Sequence, residues 1–187
     1  MRIIVGVTGA SGVIMSYHLL KALKAVPGCE THLIASQAAK TTWGYETEKP
    51  FSELTGLADA VYAEDDLAAA IASGTFVTDG MIIIPCSMKT LAGIVTGYAE
   101  NLLLRSADVC LKENRRLVIC PREMPLGKIH LHNMELAAQY GCTVIPPVLT
   151  FYNGAQTIED QIDHVIGKVL MQFGIQYDRM KPWRGND

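Results

Sequence analysis

The sequence predicts a single-domain, three-layer α/β/α fold on a parallel, Rossmann-like (flavodoxin-like) sheet. Three observations carry this. The runs Ile3-Ile4-Val5-Gly6-Val7, Met81-Ile82-Ile83-Ile84-Pro85 and Leu117-Val118-Ile119-Cys120-Pro121 are continuously apolar, as strands covered on both faces are. Segments with helical spacing follow each of them, so strand and helix alternate along the chain. A length of 187 residues, 49% hydrophobic and 19% charged, suits one domain with a sizeable core.

The first strand stops at Thr8 and passes into Gly9-Ala10-Ser11-Gly12, after which Ile14, Tyr17, Leu20 and Leu23 follow a 3.6-residue period. Glycines let backbone approach a ligand, and the N–H groups of a helix start attract phosphate. The turn is not G-x-G-x-x-G and lacks the Gly-Lys-Ser/Thr ending of a P-loop. Phosphate binding and a plain tight turn fit it equally. Thr31 to Ser36 is a strand ending on a hydroxyl, and a short helix from about Ala38 carries Glu46 and Glu48 towards its end. Residues 49–78 are the least regular. There Glu64-Asp65-Asp66 precede Leu67 to Ile71, and the helix dipole favours acids in a first turn over a metal site. Gly80 to Pro85 is the central strand, leading through Cys86-Ser87-Met88-Lys89-Thr90 into a helix with Leu91, Ile94 and Val95. A helix from about Asn101 to Glu113 sets Arg105 and Lys112 on one face. The Leu117–Pro121 strand ends in Arg122-Glu123. A helix over about Ile129 to Tyr140 closes at Gly141, Cys142 to Ile145 is the last strand, and a helix spans about Ile158 to Phe173. The end is a polar tail with Trp183.

The net charge of −3 speaks against nucleic acid and against an anionic membrane surface. No apolar run approaches a membrane span and no signal peptide opens the chain, so a cytoplasmic location is expected. Five cysteines without a C-x-x-C pair suit a reducing compartment. His130 and His132 diverge by about 200° on a helix and would not share an ion, so no metal is expected. Ligands of parallel sheets sit beyond the strands' carboxyl ends. Those ends carry Thr8 to Ser11, Ser36, Ser87 to Thr90, Arg122-Glu123 and the segment up to Tyr152. Hydroxyls and a guanidinium above apolar strands describe a pocket for a phosphorylated, partly apolar ligand.

With these residues assembled, the chain resembles the flavin prenyltransferases of the UbiX type from Ile3 to about Trp183. The matching pieces are Thr8-Gly9-Ala10-Ser11-Gly12, Pro85-Cys86-Ser87-Met88-Lys89-Thr90, Arg105-Ser106-Ala107-Asp108-Val109, Leu111-Lys112-Glu113, Pro121-Arg122-Glu123-Met124-Pro125-Leu126 and Phe151-Tyr152-Asn153. Met124-Pro125-Leu126 and Cys86 to Thr90 are most similar to the branch found as the small subunit of hydroxyarylic acid decarboxylase systems. The resemblance implies a flavoprotein domain over residues 1–175 and a tail, 176–187, docked over the active site or a neighbouring subunit. It implies transfer of a dimethylallyl group from dimethylallyl phosphate to N5 and C6 of reduced FMN, making prenylated FMN for a UbiD-type decarboxylase. FMN would be held by Gly9, Ala10, Ser11, Ser36, Ser87, Met88, Lys89, Thr90, Arg105 and Arg122. The prenyl phosphate would meet Lys112, Arg122, Tyr152 and Lys168, with Trp183 covering the site. Glu46, Glu123, Ser11 and Lys112 are the candidate catalytic residues, and assembly is expected as a homo-oligomer, often a dodecamer in the family. Lys168 stands where an arginine is commoner, which keeps charge but loses bidentate geometry. His132 replaces a frequent arginine without a physical account.

Lys112, Arg122 and Lys168 can stabilise charge growing on a leaving phosphate without a metal. Glu46, Glu123 or the departing phosphate can take the ring proton, and the sequence does not choose. Glu123 is equally suited to orienting Arg122. A non-catalytic FMN-binding accessory subunit would need no such set as Lys112, Tyr152 and Lys168. Flavin-dependent cysteine decarboxylases share the opening turn but depend on a histidine after the second strand and a Pro-Ala-Ser-Ala-Asn stretch, and neither occurs here.

Overall fold

In the computed structural model, which describes residues 1–183 and 185, six parallel strands form one sheet in the order β3-β2-β1-β4-β5-β6. They are β1 (Arg2–Val7), β2 (Glu30–Ala35), β3 (Ala60–Tyr62), β4 (Gly80–Cys86), β5 (Arg116–Pro121) and β6 (Cys142–Val144). Successive strand residues feed opposite cores. Ile3, Val5, Val7, Ile82 and Ile84 meet α1 (Ile14–Lys24), α2 (Gln37–Glu46), α3 (Phe51–Thr55) and α7 (Ile158–Met171) on one face. Ile4, Met81 and Ile83 meet α4 (Met88–Thr96), α5 (Leu102–Lys112) and α6 (Lys128–Gln139) on the other. Every residue of β4 is buried, which explains its uncharged sequence. The three-layer α/β/α arrangement is the one the sequence predicts.

After β1 the chain winds outward through β2 and β3, then returns across β1 to place β4 on its other side. The switch point therefore lies between β1 and β4, where doubly wound sheets open a crevice at their carboxyl edge.

The irregular middle holds α3, β3 and a 3-10 turn over Ala70–Ala72. Glu64-Asp65-Asp66 begin no α-helix, contrary to the dipole argument. Asp66 accepts the Ala68 N–H at 3.2 Å, while Glu64 accepts the Gln37 N–H and the Asn101 amide, each at 2.8 Å. The alanine run is too short to recover the cost of helix nucleation, and Glu64 serves the start of α2 instead. Cys86, Cys110, Cys120 and Cys142 are buried free thiols, and burial pushes their ionisation up. Among the described residues no helix is long and apolar enough to cross a membrane. Of the expected tail, Arg184, Asn186 and Asp187 lie outside the described residues.

Candidate active site

The two strands on either side of β1, β2 and β4, are each followed by a helix that opens on a serine. Ser36 caps α2 by accepting the Ala39 N–H at 3.0 Å. Ser87 caps α4 by accepting the Thr90 N–H at 3.3 Å and pairs with the Thr90 hydroxyl at 3.0 Å. Capping leaves further first-turn N–H groups on α4 for an anion, whereas at the α2 start Glu64, which also lines the cavity, already accepts the Gln37 N–H at 2.8 Å. Both serines face one cavity of about 410 Å³, lined also by Thr8, Gly9, Lys89 and Thr90. Gly9 owes its identity to packing: a Cβ there would lie 2.5 Å from the Ala38 Cβ. The Thr8 hydroxyl, expected as a ligand donor, is buried and committed. It donates to the Pro85 carbonyl at 2.7 Å and accepts the Ser87 N–H at 2.8 Å, tying the two strand ends together.

Of the two readings the opening turn allows, a phosphate site and a plain tight turn, a second feature favours the latter. Residue Val13, at the α1 start, supplies no side-chain cap. Glu46, from the end of α2, fills the place: its carboxylate accepts the Gly12 N–H at 2.8 Å and the Val13 N–H at 3.0 Å. An intramolecular carboxylate thus occupies the anion position at this helix start. Gly12, at φ 94°, provides the left-handed turn that brings these N–H groups round. Ala10 and Ser11 lie on the same turn, partly exposed.

Arg122 and Glu123 are exposed on the loop after β5, and the Arg122 N–H reaches the Cys86 carbonyl at 3.1 Å, which keeps this loop on the rim. Glu123 does not pair with Arg122 among the described residues; it accepts the Met124 N–H at 2.9 Å, so the orienting role is unsupported. Lys89 is exposed and paired with Glu100 at 3.2 Å, and Met88 is half-buried at the start of α4.

The remaining candidates do not line this cavity. A helix that feeds a parallel strand runs back to the sheet's opposite edge, so Lys112, at the end of α5, sits beside Glu113 and Gly74 near the start of β5. Arg105 lies on α5 with its guanidinium on Asp108 at 2.7 Å and on the Ala72 carbonyl at 3.1 Å, outside the cavity lining. Tyr152, Lys168 and Trp183 form a third group against α7. Tyr152 meets Trp183 edge-on at 5.6 Å between ring centroids, and Lys168 is exposed near the end of the helix.

Sequence reasoning missed His164 in that group. It is buried, edge-on to Tyr152 at 5.9 Å, and its Nδ1 has no hydrogen-bond partner among the described residues. Burial first, and Lys168 one turn away second, hold its pKa below the ordinary histidine value. The signal available was its position four residues before Lys168 on one helix face. His130, weighed above as half of a metal pair, accepts the Gly127 N–H at 3.1 Å. No group of three or more metal-ligating side chains occurs among the described residues.

Comparison with known proteins follows the same outline. The family model described as Flavoprotein matches residues 1–170. A probable UbiX-like flavin prenyltransferase from Sedimentibacter hydroxybenzoicus is 60% identical over 185 residues, covering 99% of this chain and 98% of its own. The crystal structure of AnUbiX (PadA1) in complex with FMN and dimethylallyl pyrophosphate superposes with a TM-score of 0.97 at 45% identity, over 100% of this chain and 98% of that one. A dodecameric FMN-dependent UbiX-like decarboxylase from Escherichia coli O157:H7 gives a TM-score of 0.97 at 50% identity, over 99% and 100%.

Proposed function

The chain belongs to the flavoprotein family as a UbiX-like flavin prenyltransferase, and from that premise we propose that it transfers the dimethylallyl group of dimethylallyl phosphate to N5 and C6 of reduced FMN. The observation that carries this is the pair of serine-capped helix starts facing one cavity at the switch point.

The residues present fit FMN. Ser36, Ser87 and Thr90 offer hydroxyls, and the α4 start offers N–H groups, to its phosphate, with the Glu64 carboxylate held on the Gln37 N–H at the other side of the cavity. With Glu46 on the α1 start, the phosphate belongs between Ser36 and Ser87 rather than on Gly9 to Ser11. That leaves Gly9, Ala10, Ser11 and Arg122 for the rest of the flavin. Reduced FMN supplies the nucleophilic N5 and C6. Lys168 and Tyr152, with Arg122 and Lys112, bind the donor phosphate and neutralise charge growing on its bridging oxygen as the C–O bond breaks and the phosphate leaves with the bonding pair. Trp183 and Tyr152 exclude water and offer aromatic faces to the developing allylic cation. With FMN bound, Glu123, which has one carboxylate oxygen on the Met124 N–H and the other uncommitted among the described residues, would take the ring proton from C6, whereas both Glu46 oxygens accept N–H groups. The proton given up at N5 would be returned to the allyl double bond, so that the second bond forms without a second leaving group.

Within one chain neither the Arg105/Lys112 face nor the Tyr152/Lys168/Trp183 group lines the cradle. We assign their union to neighbouring copies. Met124 (85% exposed), Ile129 (74%), Phe151 (82%) and Ile158 (80%) are large apolar side chains that such a homo-oligomer would cover. The dodecamer described for the Escherichia coli relative supports this assembly. The recipient of the product is a UbiD-type decarboxylase. Release of inorganic phosphate in step with loss of reduced FMN tests the transfer, run with the monophosphate and the diphosphate in parallel. Phosphate release without FMN consumption would refute it. Restoration of a cofactor-free UbiD-type decarboxylase by the product tests the partner.

A further inference from the structure

The tail crosses α7 at a built notch. A Cβ on Gly167 would lie 2.5 Å from both the Cβ and the Sδ of Met180, so the methionine seats where α7 has no side chain. On the same helix, Asp163 is 5% exposed, and a buried carboxylate needs partners. Its two partners among the described residues come from the tail: the Tyr177 hydroxyl donates to Oδ1 at 2.7 Å, and the Arg179 Nε approaches Oδ2 at 3.4 Å. Burial first, and the bond to Asp163 second, push the Tyr177 hydroxyl up to about 12, so it remains a donor at neutral pH. Three residues beyond Met180, Trp183 lies edge-on to Tyr152, which in turn meets the buried His164 ring.

We infer that Asp163, Gly167, Tyr177, Arg179 and Met180 form a latch of positioning residues that fixes Trp183 against Tyr152 and so shapes the prenyl-donor site. This rests on the donor reading above. The latch residues touch neither flavin nor donor; they act through Trp183. Because the hydrogen bonds join the tail to a helix that packs into the core through Ile162, Ile166, Val169 and Leu170, tail position is set by the fold rather than by the donor.

Gly167→Ala tests it cleanly, since alanine strengthens a helix and leaves α7 intact while closing the notch. Trypsin should then remove the chain beyond Arg179 about tenfold faster, and the KM for dimethylallyl phosphate should rise about tenfold, with FMN affinity unchanged. Tyr177→Phe should move both readouts in the same direction, through the hydrogen bond rather than the notch. In a Trp183→Ala background, Gly167→Ala should add nothing further to KM, because both changes remove one effect. Additive KM costs, or faster cleavage with an unchanged KM, would overturn the positioning role. Unchanged cleavage in both latch variants would overturn the latch itself. If the wild-type enzyme left FMN unprenylated while its tail stayed protected, the donor reading would fall and the donor-site role with it, and the docking would stand alone.

Discussion

Replacing Ser87 by aspartate separates the fold from the phosphate site. Ser87 caps α4 through the Thr90 N–H, and aspartate caps a helix about as well as serine, so stability should change by only a few tenths of a kcal/mol. The carboxylate would nevertheless stand in the cavity where the FMN phosphate is assigned. Two unit charges about 4 Å apart at an effective dielectric near 20 repel by about 4 kcal/mol, roughly a thousandfold in affinity. Titration by quenching of flavin fluorescence reads this directly, and riboflavin, which lacks the phosphate, supplies the control. Ser87→Asp should weaken FMN by about three orders of magnitude and leave riboflavin within about twofold of wild type. Ser36→Asp should behave alike, because the two serines face one cavity. Equal weakening of both flavins would mean a distorted pocket, and unchanged FMN affinity would remove the phosphate from this cradle.

Glu46→Ala strips the α1 start of the acceptor for the Gly12 and Val13 N–H groups; it should cost about 0.5–2 kcal/mol and lower the melting temperature by about 1–8 °C, with Glu46→Gln losing less and a wild-type melt refuting the cap. His164 and His18 are both held below the ordinary histidine value, chiefly by burial. Below about pH 6.5 the unfolded chain therefore binds protons that the folded chain refuses, and stability falls as pH falls. Urea midpoints between pH 7.5 and 5 should show this slope, and His164→Gln should flatten it; an unchanged slope would exclude His164. Ile129→Asp or Phe151→Asp should yield smaller species by light scattering and lose prenyl transfer while retaining FMN, whereas wild-type size in both variants would move the interface elsewhere.

What the sequence made legible follows from the range of the forces involved. The β4 and β5 strands are plain because burial on both faces removes every charge from a contiguous run. Ser36 and Ser87 are plain because a hydroxyl between a strand and a helix is a local capping signal. Glu46 and Glu64 were not legible in their roles. Each caps a helix start more than twenty residues away in sequence, and a carboxylate looks the same whether it meets water or a distant N–H. Lys112 lies away from the rim for a reason the sequence does hold: a helix that feeds a parallel strand must end at the opposite edge of the sheet. The notch at Gly167 is silent in sequence, since it exists only where Met180 crosses it.

The central claim is a covalent change in the flavin, and the mass of the flavin released after turnover measures it. Protein loaded with FMN, reduced and incubated with dimethylallyl phosphate, should release a flavin heavier by one dimethylallyl unit attached at two positions. No such product should form without the donor. Release of unmodified FMN from protein that binds both FMN and dimethylallyl phosphate would contradict the account.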